Sequence, residues 1–212
     1  MRLFLFLLLF TLLGACASVP PPPLPPTVEQ LRAWDVRRTS LTTIARWDLR
    51  GSVSVLAGSR SVRAVIHWIR DPRSQRIDLI FPFGAGTLRL TQDEHGVELL
   101  GRDNQVLRGT SARALLAQAT GWEWPADELG FWVVGLPAPK TAIDVLGLDQ
   151  EGRLANLEQG GWRVEILKYI DVGSFALPSR LSVERLGQKT PEESIDVTLS
   201  VESWTLGGGS EP

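Results

Sequence analysis

Residues 47–70 read WDLRGSVSVLAGSRSVRAVIHWIR. Trp47, Leu49, Val53 and Val55 alternate with Asp48, Arg50, Ser52 and Ser54. Val62, Ala64, Ile66 and Trp68 repeat the pattern after a Gly58-Ser59 turn. A period of two belongs to a half-buried strand, because successive side chains leave opposite faces of the backbone. The period returns at Ile77, Leu79 and Phe81 and again at Leu88 and Leu90, with turn signals at Asp71-Pro72 and Phe83-Gly84-Ala85-Gly86. Segments 96–100 and 105–108 continue it around a turn at Arg102-Asp103-Asn104. Further on, 153–158, 162–169, 178–186 and 194–204 read as strands, the first two separated by Gly160-Gly161.

Three segments break this rhythm. Residues 28–45 space Val28, Leu31, Trp34, Thr42 and Ile44 helically, with Thr27 as a candidate N-cap. Ser111 is placed to cap a helix carrying Ala114, Leu115, Leu116 and Ala119 and stopped by Gly121. Pro125 is placed to start another, with Leu129, Trp132 and Val133 on one face. About ten strands in hairpin succession must curl, close or cover their edges. Helices interrupting such a meander fit inside, or across the mouth of, a half-closed barrel. Trp122, Trp124, Phe131 and Trp132 concentrate aromatics in the insert. They suit an ordinary core or the wall of a lipid cavity, and periodicity does not separate the two.

The N-terminus carries its own signal. Arg2 precedes an almost unbroken Leu/Phe run from Leu3 to Leu13, which ends in Leu13-Gly14-Ala15-Cys16. Such a run has the length of a signal-peptide core and is too short to span a hydrocarbon layer of about 30 Å. The pattern resembles a bacterial lipobox, which implies cleavage before Cys16, acylation there, and stable attachment by three acyl chains. Ala17, not Asp, follows the Cys; by resemblance to enterobacterial sorting this implies the outer membrane. Pro20 to Pro23, Pro25 and Pro26 favour an extended, semi-rigid tether. The expected organisation is a signal peptide at 1–15, a lipidated Cys and tether at 16–27, a folded body at 28–206 and a disordered tail at 207–212.

Composition narrows the chemistry. The chain has 212 residues, 43% hydrophobic and 22% charged, with a formal net charge of −2. That excludes wholesale disorder, and without a basic block no nucleic-acid partner is expected. One Cys precludes an internal disulfide or a Cys-rich zinc site, and His67 and His95 lack metal-ligand spacing. No nucleophile elbow, HExxH or Walker loop is present, and Gly84-Ala85-Gly86 does not complete a dinucleotide fingerprint. Asp48, Asp78 and Asp196 read as isolated outward-facing strand positions, and His67 as a solvated or capping residue. An enzyme, a cofactor and a bound metal are therefore not expected.

One loop stands out. Phe81-Pro82-Phe83-Gly84-Ala85-Gly86 joins two strands with bulky apolar residues where turn chemistry favours Asn or Asp. Pro82 pushes Phe81 to an extended conformation, and Gly84 permits a positive φ. Phe83 then either projects from the tip, as at a membrane or partner contact, or folds back to close one end of the barrel.

In this order the pieces resemble the LolB family of outer-membrane lipoprotein receptors. The resemblance is carried by Trp47-Asp48-Leu49-Arg50-Gly51, the strand ending at Trp68, and Pro82-Phe83-Gly84 followed by Thr87-Leu88-Arg89-Leu90. Thr120-Gly121, Phe131-Trp132 before Gly135-Leu136-Pro137, and Gly152-Arg153-Leu154 before Gly161-Trp162 complete it. It covers Trp47 to Trp204 and the lipobox. It implies a mainly β fold with an α insert: an open (unclosed) antiparallel β-barrel of about ten to eleven strands, helices covering the mouth. It also implies a monomer that takes acylated lipoprotein cargo from a LolA-like periplasmic carrier. The acyl chains would be held in an apolar cavity and placed in the inner leaflet of the outer membrane. Cavity candidates are Val53, Val55, Ile66, Trp68, Leu79, Leu88, Leu90, Leu129, Trp132 and Val133. The membrane-insertion loop would be Pro82, Phe83 and Gly84, with Phe83 where the family typically has Leu. Two alternatives stay open: a lipoprotein that binds another hydrophobic ligand or senses lipoproteins, and a structural envelope-assembly factor with a packed core and no cavity.

Overall fold

The computed structural model describes residues 25–102, 104–188, 190 and 193–207. The signal segment, Cys16, most of the tether and the tail beyond Gly207 lie outside them. Eleven strands form a single antiparallel sheet: β1 (Trp47–Ala57), β2 (Arg60–Arg70), β3 (Gln75–Ile80), β4 (Thr87–Asp93), β5 (Gly96–Leu100), β6 (Val106–Gly109), β7 (Ile143–Leu148), β8 (Leu154–Gln159), β9 (Trp162–Val172), β10 (Phe175–Arg185) and β11 (Ile195–Leu206). The order is β6-β5-β4-β3-β2-β1-β11-β10-β9-β8-β7. Every neighbour is also a neighbour in sequence except β1 and β11, which stitch two meanders together at the centre. The free edges are β6 and β7, so the barrel stays open. The chain crosses from one edge to the other through α2 (Ala112–Thr120) and α3 (Ala126–Trp132). The insert lies across the gap because it is the segment that joins the two edges.

Alternation sets the inner face. In β1, Trp47, Leu49, Val53, Val55 and Ala57 are buried while Arg50 and Leu56 are exposed. Gly51 sits at a register break opposite Val201. A Cβ there would lie 2.1 Å from the Ser200 carbonyl oxygen, and backbone cannot yield as a side-chain end can. Gly51→Ala is therefore expected to cost about 3 kcal/mol and to lower the melting temperature by roughly 6–12 °C in a scanning calorimeter.

Helix α1 (Val28–Leu41) starts as read, at a capping box in which Gln30 N–H donates to Thr27 Oγ1 and Thr27 N–H to Gln30 Oε1. It ends at Leu41, short of residue 45, in turns at Thr42 and Thr43. The Gln30 amide also donates to the carbonyls of Leu148 and Asp149, docking the helix on the end of β7, and Trp34 and Leu41 enter the core. Ser111 and Gly121 cap α2 as expected, Gly121 in the left-handed conformation.

Strand β7 is the element that periodicity misses. Its register to β8 breaks between Ile143 and Val145 and between Gly147 and Leu148, and Ile143 is 48% exposed. An edge strand with interrupted register keeps no clean period of two.

Candidate functional site

The buried side chains fall into two clusters. One gathers Trp47, Trp68, Trp132 and Trp162 with the inner faces of β1, β2 and β8–β11; the other joins Leu88, Leu90, Val97 and Leu99 to α2 and Ala126. Ile77, Leu79, Phe81 and Trp124 border both clusters. At that seam, between the concave sheet and the helical insert, lies a cavity. It is narrow, with a volume of about 100 Å³.

Eight of the ten residues singled out from the sequence line this cavity: Val53, Val55, Ile66, Trp68, Leu79, Leu88, Leu90 and Leu129. Two do not. Trp132 and Val133 are fully buried in the larger cluster, where the Trp132 indole N–H donates to Gln159 Oε1 at 2.9 Å. Helix α3 is only seven residues long; Leu129 at its middle lines the cavity, while Trp132 at its end is tied to Gln159 of β8. The wall also includes Leu181, Val183, Val197 and Leu199 of β10 and β11. The sequence marks 178–186 and 194–204 as strands; that β11 pairs with β1, and so closes this side, no local pattern shows.

The wall is almost wholly hydrocarbon and aromatic, and its polar groups are engaged. Thr120 Oγ1 accepts from Trp124 Nε1 (2.9 Å) and Trp122 N (3.2 Å), and its hydroxyl donates to the Leu116 carbonyl (2.7 Å). Trp68 Nε1 donates to Gln75 Oε1 at 3.2 Å. Such a wall has affinity for any chain of suitable bulk and no directional demand. Under α3, Arg70 stacks its guanidinium 4.9 Å from the Phe131 ring centre; burial lowers its pKa, with Asp127 opposing. That contact pins one side of the insert to β2.

The loop after β3 is the second component. Phe81 lines the cavity and is extended (φ −85°, ψ 144°) ahead of Pro82. Residues Pro82–Gly84 form a 3-10 turn in which Phe83 adopts φ 57°, ψ 30°. Of the two placements open for Phe83, the projecting one is found: it is 105% exposed. A left-handed conformation costs a residue with a Cβ about 1–2 kcal/mol. Here neither burial nor packing offsets that cost. A single residue, Pro82, separates the cavity wall at Phe81 from the tip of this projection at Phe83.

On the outer face, His67 Nε2 lies 2.9 and 3.0 Å from the two Asp48 carboxylate oxygens. Asp78, read from the sequence as an isolated outward-facing position, does face outward but is buried between Arg76 (3.3 Å) and a hydrogen-bonded Arg89, whose pKa that bond raises. The arginine stems cover the carboxylate, which alternation alone does not reveal. Among the described residues no cluster of three or more His, Cys, Asp or Glu could hold a metal, and no helix is long and apolar enough to cross a membrane.

An open antiparallel sheet curled round an apolar cavity, with helices over its gap, defines a fold class that recurs in other solved structures. The chain shares it with a LolA superfamily protein from Nitrosomonas europaea (TM-score 0.52, 10% identity, 85% of this chain and 93% of that one). A putative outer membrane lipoprotein-sorting protein domain from Vibrio parahaemolyticus also has it (TM-score 0.56, 11% identity, 86% and 93%). Within that class, residues 45–204 match the model of the family Outer membrane lipoprotein LolB, and the chain belongs to this family. It is 30% identical over 206 residues to the outer-membrane lipoprotein LolB of Nitrosococcus oceani, covering 97% of this chain and 98% of that one. To its counterpart in Pseudomonas paraeruginosa it is 32% identical over 204 residues, 96% of each. The resemblance read from Trp47 to Trp204 is thus borne out, and with it an outer-membrane role in lipoprotein localisation.

Proposed function

We propose that the protein, acylated at Cys16 and held on the periplasmic face of the outer membrane, receives acylated lipoproteins from a LolA-like carrier. It shelters their acyl chains in the cavity and passes them to the inner leaflet. The observation that carries this reading is the continuity from Phe81 in the cavity wall to Phe83 at the exposed loop tip. Each buried CH₂ is worth about 0.8 kcal/mol, so three chains of about fifteen CH₂ represent roughly 36 kcal/mol, and desorption through water is out of reach. A carrier must offer nearly that much and no more than the bilayer. The cavity is too narrow for three such chains as it stands, so the insert has to yield as they enter; half-buried Trp122 and Trp124 stand in its wall between α2 and α3.

The expected result is that the body expressed without residues 1–24, analysed by native mass spectrometry, carries co-purified lipid, and that lipopeptide addition changes its tryptophan fluorescence. Val62 lines the cavity and is only half-buried. Val62→Trp should therefore reduce bound lipid at least tenfold with an unchanged melting temperature. Absence of lipid from the unaltered body, or full occupancy in a folded Val62→Trp protein, would overturn the cavity reading. Transfer from a loaded LolA-like carrier separates this function from binding of some other hydrophobic ligand.

A further inference from the structure

Around the exposed loop the outer face of the sheet has a graded composition. Parity puts Arg63, Val65 and His67 of β2, Asp78 and Ile80 of β3, and Arg89 of β4 outside, since Ala64, Ile66, Leu79, Leu88 and Leu90 line the cavity. Val65 pairs directly with Ile80, and both are about half exposed, at 55% and 47%. This aliphatic pair lies in the row nearest the end of β3, where the loop carrying Phe83 begins. The next same-face row, about 7 Å further from the loop, runs Arg50–His67–Asp78–Arg89 across four strands. Two more arginines flank the loop. Arg63 is exposed on β2 opposite Ser54, and Arg102 is exposed beside Gly86 with its guanidinium 4.8 Å from the Phe81 ring centre. Between Arg50 and Arg70, and again between Leu79 and Gln92, the sequence holds no Asp or Glu.

An aromatic tip with guanidinium groups at its base, and an aliphatic pair on the sheet face beside them, suits an interface in which the tip reaches hydrocarbon and the guanidinium groups stop at the phosphates. We propose that the loop tip and the outer face beside it dock together on a membrane surface bearing anionic phospholipid, with Arg63 and Arg102 at the base of the loop on its headgroup phosphates and Val65 and Ile80 against the headgroup layer. The proposal rests on the reading of Phe83 as a bilayer contact and adds to it a lipid class and an orientation. A single tip can pivot; a tip with a flanking face fixes the tilt of the barrel and so the direction in which the cavity opens. Anionic charge is the complement because a guanidinium near an anionic surface gains about 1 kcal/mol, roughly a fivefold gain in affinity, whereas a zwitterionic surface offers no such net gain.

The test uses residues 25–212, which carry every strand, helix and core contact described above. Its affinity is measured by co-sedimentation with vesicles of phosphatidylcholine alone or with one-third phosphatidylglycerol. The expected preference for the anionic vesicles is roughly 25-fold, two arginines at about fivefold each. Arg63→Gln/Arg102→Gln should abolish the preference, Arg63→Lys/Arg102→Lys should retain it, and Val65→Ser/Ile80→Ser should weaken binding to both vesicles, all with unchanged melting temperatures. Equal affinity of the unaltered protein for the two vesicles overturns the proposal, as does a preference that survives the glutamine substitutions. So does a glutamine variant that binds vesicles normally but no longer receives cargo, since the face then belongs to the carrier. Phe83→Glu separates this proposal from the one beneath it. If that variant binds neither vesicle but no lipid preference exists, the loop reading stands and the face falls. If it binds both vesicles like the unaltered protein, the loop reading fails.

Discussion

Replacing Phe83 by Glu is expected to leave the melting temperature unchanged, leave receipt of cargo intact, and slow insertion into liposomes by on the order of 100-fold or more. The stability half follows from exposure: the ring is 105% exposed, so removing it removes no packing, and Glu meets the same left-handed backbone. The functional half follows from transfer energies. Burying a Phe is worth roughly 1.5–3 kcal/mol, and a carboxylate in its place resists leaving water. The difference reaches several kcal/mol, and each 1.4 kcal/mol is a factor of ten. Phe83→Leu should be nearly silent. Phe83→Gly should be more stable by about 1 kcal/mol, because the positive φ no longer opposes a Cβ, and yet insert poorly. A substitution that stabilises the fold while impairing transfer is hard to attribute to misfolding. Normal insertion by a stable Phe83→Glu protein would refute the role.

The strands that a period of two could mark were legible wherever one face is buried and the register unbroken, as in β1, β2 and β4. Strand β7 was not, because two register breaks scramble its alternation. The pairing of β1 with β11 joins residues some 150 apart in sequence, and no local pattern encodes it. The cavity residues on β1 to β4 sit on the alternating apolar positions of those strands, and the resemblance implied that these face a cavity. Parity says which side of a strand is inside; it does not say whether the inside is packed or hollow. Trp132 shows the difference, sharing a helix with cavity-lining Leu129 yet lying in solid core. Asp78 shows the converse, a carboxylate on the outer face that flanking arginines bury. The loop at Phe83 was legible because its composition violates turn chemistry, and such violations mark places where something other than folding sets the residue.

Gln159 carries the largest expected effect on stability. It ends β8 and is fully buried, and no periodicity singles it out. Its Oε1 accepts from Trp132 Nε1 and Ala138 N, both at 2.9 Å, while its amide donates to the carbonyls of Ala138 (2.9 Å) and Thr141 (2.8 Å). One side chain therefore satisfies the indole of α3 and the backbone of the segment that returns from the insert to β7. Gln159→Leu keeps much of the volume but strands these groups away from water, at about 1–3 kcal/mol for each buried group left unpaired. The contributions overlap, so the expected loss is about 4–5 kcal/mol, or a fall in melting temperature of roughly 10–20 °C. Gln159→Glu distinguishes hydrogen bonding from shape. Its carboxylate would face two carbonyl oxygens in a dry site, so its folded pKa should rise above the ordinary value of about 4.3. The folded state then binds the proton more tightly than the unfolded state, and stability must fall as pH rises from about 4.3 to the raised pKa. Thermal melts should accordingly show Gln159→Glu closer to the unaltered protein at pH 4 than at pH 8, and Gln159→Leu equally depressed at both. A Gln159→Leu protein that melts with the unaltered one would mean that the insert is held by the packing of Trp132 and Val133 alone. The anchor also bears on the cavity: it ties the return leg of the insert to β8, and the insert supplies Leu116, Thr120, Trp122, Trp124 and Leu129 to the cavity wall. Loosening Gln159 should therefore lower lipid retention as well as stability, although Gln159 touches no part of the cavity wall.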